Sequence, residues 1–305
     1  MQFQTLISSA QLAAHLQQPD WVVVDCRFAL AEPELGAQQY QRGHIAGAHY
    51  AHLNHDLSGP VRPGQSGRHP LPAVGAIERT LGSWGITTGV QVVAYDDSGG
   101  TMAARLWLLL RWLGHTAAAV LDGGLPAWQA AGHTLSSAPA AQTARVFSAT
   151  LNNTLLASAT DVAAARTDAQ RALLDVRSAV RFRGEQEALD PVAGHIPGAR
   201  NAPHTDCLQP DGSFRPAAEL HAHFDALLHE RPGVANEHAM RAKALENRVE
   251  RVYREAVADL FANPRDIDHV VSMLKLREIY RHLSNAADRG DQAANAIADV
   301  VVKRS

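Results

Sequence analysis

Trp21-Val22-Val23-Val24 runs apolar into Asp25, and Val90-Gln91-Val92-Val93-Ala94-Tyr95 forms a second such run. Consecutive rather than alternating apolar positions predict strands buried on both faces of a sheet, over 21–25 and 90–95. Helical patterns follow at 73–84 and at 102–113. A short strand at 117–121 is closed by Asp122-Gly123-Gly124 and a helix through Trp128. Strand–helix alternation predicts an α/β fold with a parallel sheet flanked by helices on both faces. The stretch 136–158, rich in Ala, Ser, Thr and Gln, reads as an interdomain linker.

The pattern then repeats at an offset of about 150 residues. Val22-Val23-Val24-Asp25-Cys26-Arg27 is echoed by Ala172-Leu173-Leu174-Asp175-Val176-Arg177. Gly43-His44-Ile45-Ala46-Gly47-Ala48 is echoed by Gly194-His195-Ile196-Pro197-Gly198-Ala199. Two six-residue matches in one order and spacing mark two copies of one unit. Copy two follows copy one as far as 214–228 and then departs from it.

Beyond residue 234 the period changes to that of helices. Leu245, Val249, Val252, Ala256 and Leu260 form one stripe; Leu276, Ile279, Leu283, Ala287, Ala294, Ile297 and Val301 form another. The two helices are broken at Asn263-Pro264-Arg265-Asp266, with Asp266 as the N-cap of the second. Each is amphipathic with a charged outer face, and two such helices cannot close a core alone.

Composition sharpens the join. The 305 residues carry a net charge of −3 and 46% apolar residues, so nothing calls for nucleic acid or an anionic membrane surface. No apolar run approaches the roughly 20 residues of a membrane span. Two cysteines give no disulfide framework and predict a reducing, cytoplasmic setting. Residues 1–229 contain no lysine, all five tryptophans, and 34 charged residues, against 25 in the last 76. The step falls near residue 230.

One turn carries candidate chemistry. Where strand 90–95 hands over to helix 102–113, the loop Asp96-Asp97-Ser98-Gly99-Gly100-Thr101 directs backbone N–H groups and a helix dipole at one spot. Such a spot stabilises an anion or thiolate, although an ordinary strand-to-helix loop has the same outline.

Asp25-x-Arg27, Gly43-His44-Ile45-x-Gly47-Ala48, Arg68-His69-Pro70-Leu71-Pro72, Tyr95-Asp96-Asp97-Ser98-Gly99-Gly100 and Leu121-Asp122-Gly123-Gly124-Leu125-x-Ala127-Trp128 together resemble a rhodanese domain. The tandem arrangement, over residues 1 to about 228, resembles thiosulfate and 3-mercaptopyruvate sulfurtransferases. The resemblance implies a non-catalytic first domain at 1–135, a linker at 136–158 and a second domain at 159–229, here truncated. It also implies a cysteine at the second domain's strand–loop–helix turn, which takes sulfane sulfur as a persulfide and passes it to a thiophilic acceptor. No cofactor is implied.

In copy one that position is Asp96, so Asp96, Asp97, Ser98, Gly99 and Gly100 read as a pseudo-active-site loop. In copy two the offset leads to Lys243-Ala244-Leu245-Glu246-Asn247-Arg248-Val249-Glu250, without glycine or cysteine. Cys26 lies inside the first buried strand, where a small apolar core residue is expected. Cys207 follows Asn201-Ala202-Pro203 in a loop with no helix N-terminus or basic partner in sequence to activate it. Arg181 matches the arginine that the resemblance assigns to the anionic substrate, a remnant expected as a solvated surface side chain. The catalytic set is therefore expected to be empty. The 16 histidines show no zinc-type spacing, and the two Gly-His-Ile segments are expected to fix turns.

The tail, 234–305, resembles the C-terminal helices of PhoU-like proteins that accompany phosphate transporters. The carrying residues are Leu245-Glu246-Asn247-x-x-Glu250-Arg251-Val252-Tyr253-Arg254-Glu255, Leu260-Phe261, Leu274-Lys275-x-x-Glu278-Ile279-Tyr280, Ala286-Ala287-Asp288-Arg289 and Val300-Val301-Val302-Lys303. That family's acidic pairs hold metal. Glu246 and Glu250 keep one pair, but Ser284 stands where an acid would precede Asp288, so no metal site is expected.

Three readings follow. One is an active sulfurtransferase acting on a small sulfur-containing anion. The second is an inactive fusion whose helical tail mediates homo-association or phosphate-transport-related regulation. The third is a chain joined by rearrangement or assembly. The missing cysteine loop weighs against the first. A half-sheet lacking its next strand is also expected to leave backbone groups for the tail to cover.

Overall fold

The apolar runs at 21–25 and 90–95 become neighbouring parallel strands in the computed structural model, paired from Trp21 with Gln91 to Asp25 with Tyr95. The structure describes residues 2–141, 143–166, 168, 171–190, 192–229, 234–262 and 265–302, with side chains except at 229, 234–244, 268, 288 and 290–302. The chain divides into two units, one of Met1–Ala157 with Cys207–Pro216, the other of Ser158–Asp206 with Ala217–Ser305.

The first unit contains β1 (Leu6–Ile7), α1 (Ser9–His15), β2 (Trp21–Asp25), α2 (Leu35–Arg42), β3 (His49–Tyr50), α3 (Val74–Ser83), β4 (Gln91–Tyr95), α4 (Ala103–Trp112), β5 (Ala118–Leu121) and α5 (Gly124–Ala130). The strands form one parallel sheet in the order β1-β5-β4-β2-β3. Strand period and burial explain the unbroken apolar runs. Val22, Val24, Val92 and Ala94 pack on one face with Ile77 and Leu81 of α3 and Leu106, Leu109 and Leu110 of α4. Trp21, Val23, Val93 and Tyr95 pack on the other with Leu12 of α1 and Leu125 and Trp128 of α5. The expected fold class is therefore the observed one.

The stretch 136–158, read from the sequence as an interdomain linker, runs along the first unit as far as Ala157. Arg145 N donates to Gly82 O, Thr150 N to Leu113 O and Asn152 N to Trp112 O, while Phe147 is buried against α3 and α4. The approach is close at Gly82 of α3, where a Cβ would lie 2.5 Å from Arg145 O.

The second unit holds α6 (Ala159–Ala165), β6 (Leu173–Asp175), α7 (Ala179–Phe182), β7 (Ala199–Asn201), α8 (Ala217–His229), α9 (Val234–Phe261) and α10 (Ile267–Val302). β6 and β7 pair in parallel with Asp175 opposite Asn201, as Asp25 stands opposite Tyr50. Among the described residues no further strand joins them. The consequence is visible in exposure. Leu174 and Val176 are 38% and 58% exposed, whereas the matching residues of the first copy, Val24 in β2 and Cys26 just after it, are 0% and 1% exposed.

The break between α9 and α10 falls where expected, although Asn263 and Pro264 lie outside the described residues, as does the join at 230–233. Asp266 caps α10 by accepting from His269 N at 2.7 Å. The predicted stripe is not a closed interface. Leu245, Val249, Val252 and Ala256 line an open apolar groove with Tyr280 and Leu283, while Met273, which the stripe omitted, is buried, alone among the described side chains of α10. The side chains of Ala294, Ile297 and Val301 lie outside the described set. No helix among the described residues is long and apolar enough to cross a membrane.

Candidate functional site

Strand β4 ends at Tyr95, and the next residue fills the turn it opens. The Asp96 carboxylate accepts from Ser98 N and Gly100 N at Oδ1, both at 2.9 Å, and from Met102 N and Ala103 N at Oδ2, at 2.7 and 2.9 Å. Asp96 is fully buried, at the N-terminus of α4. Four converging N–H donors and the helix dipole are the cradle that the sequence suggested for an anion or thiolate. Here the chain's own carboxylate occupies it. A carboxylate held in this way offers no sulfur nucleophile. Gly99 and Gly100 have φ of +71° and +83°, so the turn requires glycine at both places.

The loop is also covered. Phe214 N donates to Asp122 Oδ1 at 2.8 Å, placing the Cys207–Pro216 segment over the turn. A Cβ on Gly99 would meet Leu208 Cδ1 at 2.6 Å, and one on Gly100 would meet Phe214 at 3.5 Å. Asp97 points elsewhere, lining a cleft of about 390 Å³ with Arg27, Arg42 and Gln129. Burial raises its carboxyl above the usual range, against the pull of Arg27.

The Asp-x-Arg segments behave alike in the two units. Arg27 Nη2 donates to Asp25 Oδ2 at 2.6 Å and to Gly43 O at 2.7 Å; Arg177 Nη2 donates to Asp175 Oδ2 and to Gly194 O, both at 2.6 Å. The histidines of the Gly-His-Ile segments fix these turns. His44 lies 2.8 Å from Tyr40 O and stacks on Tyr40; His195 lies 2.7 Å from Phe182 O and stacks on Phe182.

Arg181 differs from the sequence expectation of a solvated side chain. Its Nη2 donates to Glu187 Oε1 at 2.9 Å and to Asp190 Oδ2 at 2.8 Å, and Arg177 also pairs with Glu187. The Glu187 side chain is 2% exposed and further accepts from Leu189 N and Asp190 N. Burial pushes its carboxyl up, but those N–H groups and Arg181 outweigh this and hold it below the usual range. Acids six and nine residues downstream thus occupy the guanidinium to which the resemblance assigns an anionic substrate.

Neither cysteine joins the other or a site of this kind. Cys26 is buried in the core, where burial and the Asp25 charge push its thiol well up, away from the reactive thiolate. Cys207 closes a short helical turn and its carbonyl accepts from Arg215 N at 2.9 Å. Glu250, proposed as half of an acidic pair, is paired with Arg254 on α9, and the Asp288 side chain lies outside the described residues.

One cluster escaped sequence reasoning. Glu34, His52 and His55 each offer a ligand atom, all within 4.8 Å of one another. The His52-x-x-His55 spacing was the available signal; the carboxylate arrives from the residue just before α2.

A family model described as "Rhodanese-like domain" matches residues 8–131. A Pseudomonas aeruginosa protein named "Probable 3-mercaptopyruvate sulfurtransferase" is 49% identical over 228 residues, covering 74% of this chain and 80% of that one. The thiosulfate sulfurtransferase of Rattus norvegicus is 30% identical over 233 residues, covering 73% and 76% respectively. Among solved structures, the Escherichia coli protein SseA, described with the "Rhodanese" fold of 3-mercaptopyruvate sulfotransferases, is 30% identical at a TM-score of 0.64. It covers 72% of this chain and 82% of its own.

Proposed function

The chain belongs to the rhodanese-type sulfurtransferase family, and from that premise we propose that it is a member in which sulfur transfer is lost. In this reading 1–135 is the non-catalytic domain, 159–229 a truncated second copy reached through 136–158, and 234–305 an added helical segment. One observation carries it. The stretch 243–250, where the repeat would set the sulfur-carrying turn, lies within helix α9 and contains no cysteine. Persulfide chemistry needs a thiolate held by converging donors. In the first unit that set of donors holds Asp96. Any sulfur-containing anion approaching Arg181 must displace Glu187 and Asp190. A cytoplasmic setting accords with a chain that carries two cysteines and no disulfide framework in its sequence.

The test is transfer from thiosulfate and from 3-mercaptopyruvate to cyanide. The expected rate is the uncatalysed background, unchanged in Cys207→Ser. Turnover well above background that Cys207→Ser abolishes would overturn the proposal and make Cys207 the sulfur carrier.

The open apolar groove between α9 and α10 favours homo-association as the role left to the tail. A mass in solution of two chains, returned to one by Leu283→Glu, supports it; a strict monomer with a protease-labile hairpin removes it. Independent reading of the codons for 220–245 separates both from a rearranged chain, since a restored Tyr-Cys-Gly turn would expose the join.

A further inference from the structure

We propose that Glu34, His52 and His55 form a binding site for one divalent cation of the zinc type on the first unit. The decisive group is His52. Its residue is 6% exposed, and its Nε2 is buried with no hydrogen-bond partner. That nitrogen faces Glu34 Oε1 at 3.6 Å, too long for a hydrogen bond. Two ligand atoms about 2.0–2.1 Å from one tetrahedral cation stand roughly 3.4 Å apart, so the gap is the edge of a coordination polyhedron. His55 supplies the third donor, its ring stacked on that of His52 at 4.3 Å and tilted by 29°.

The surroundings hold His52 for this task. Its backbone N–H donates to Asp56 Oδ2 at 2.7 Å, and its ring meets Phe28 edge to face at 5.2 Å. Asn54 N donates to Nδ1 at 3.2 Å, which leaves the ring proton on Nε2 when no cation is bound. Cation binding at Nε2 moves that proton to Nδ1, where it would face the Asn54 N–H, so binding also requires the Asn54 peptide to turn away from the ring. Two imidazoles and one carboxylate select zinc, nickel or copper over magnesium or calcium. Glu34 and His55 are exposed, so three protein ligands leave an outward position for water or a small anion.

The experiment is zinc titration of the full chain against a chromogenic chelator, with Glu34→Gln and His55→Asn beside the unaltered protein. Both changed side chains lie on the surface, so circular dichroism should be unchanged. One zinc per chain is expected, weakened at least about tenfold in each variant. Cobalt in place of zinc is expected to give visible absorption that both variants lose. Equal zinc affinity in all three proteins, or no binding tighter than about 100 μM, overturns the proposal.

Discussion

Phe214 hands its backbone N–H to the carboxylate of Asp122 at 2.8 Å, across 92 residues of chain. The bond ties a segment of the second copy to the mouth of the first unit's turn, where Leu208 and Phe214 stand against Gly99 and Gly100. Covering and turn conformation should therefore be separable energetically. Gly99→Ala is expected to destabilise the first unit by about 2 kcal/mol, from the left-handed backbone and from contact with Leu208. In a Leu208→Ala background the steric part should vanish and about 1 kcal/mol remain. Urea unfolding of the four proteins measures the cycle; purely additive losses would deny the contact.

Asp96 should be far less tolerant than an ordinary acidic loop residue. Asp96→Asn presents an NH2 group to two of four N–H donors and is expected to lose about 2–4 kcal/mol. Asp97→Asn, one residue on, should lose less than about 1 kcal/mol. Equal effects at the two positions would show that the four donors do not distinguish them.

Acid should act on the two units in separate stages. Burial lowers the protonation tendency of His49, His69 and His115, so the first unit favours their neutral forms. That stability is complete above the ordinary histidine value of about 6.5 and is lost as pH falls through it. Asp97, raised by burial, adds stability only at the acid end, toward pH 4. Glu187 and Asp175 are held below the usual carboxylate range, the first by N–H groups and Arg181, the second by Arg177, both against burial. Their contribution is full above about pH 5 and disappears as pH falls below about 4. Hydrogen-exchange protection at β2, taken relative to the intrinsic rate at each pH, should fall between pH 7 and 5, and at β6 only below about 4. Glu187→Gln should flatten the second response and leave the first unchanged.

Arg181 is held by acids rather than solvated, so Arg181→Met is expected to destabilise the second unit by about 1–3 kcal/mol, discounted for its partial exposure. A neutral outcome by thermal unfolding would return it to the surface role that its sequence context suggests.

Much of the first unit was legible in the chain. Strands buried on both faces need apolar residues at consecutive positions, and β2, β4 and β5 show them within one residue of where they lie. The Asp-x-Arg segments were legible only as a repeated motif, and the structure showed that residues two apart bring carboxylate and guanidinium together in both units. Helical period alone located α9 and α10. Tertiary structure decided what depends on distant partners. Only folding could place Cys207–Pro216 with the first unit, set Glu187 and Asp190 on Arg181, or bring Glu34 beside His52 and His55. The physical reason is that periodicity records which face of an element meets the core, whereas a polar side chain's partner is set by how loops close, and spacing along the chain does not encode that.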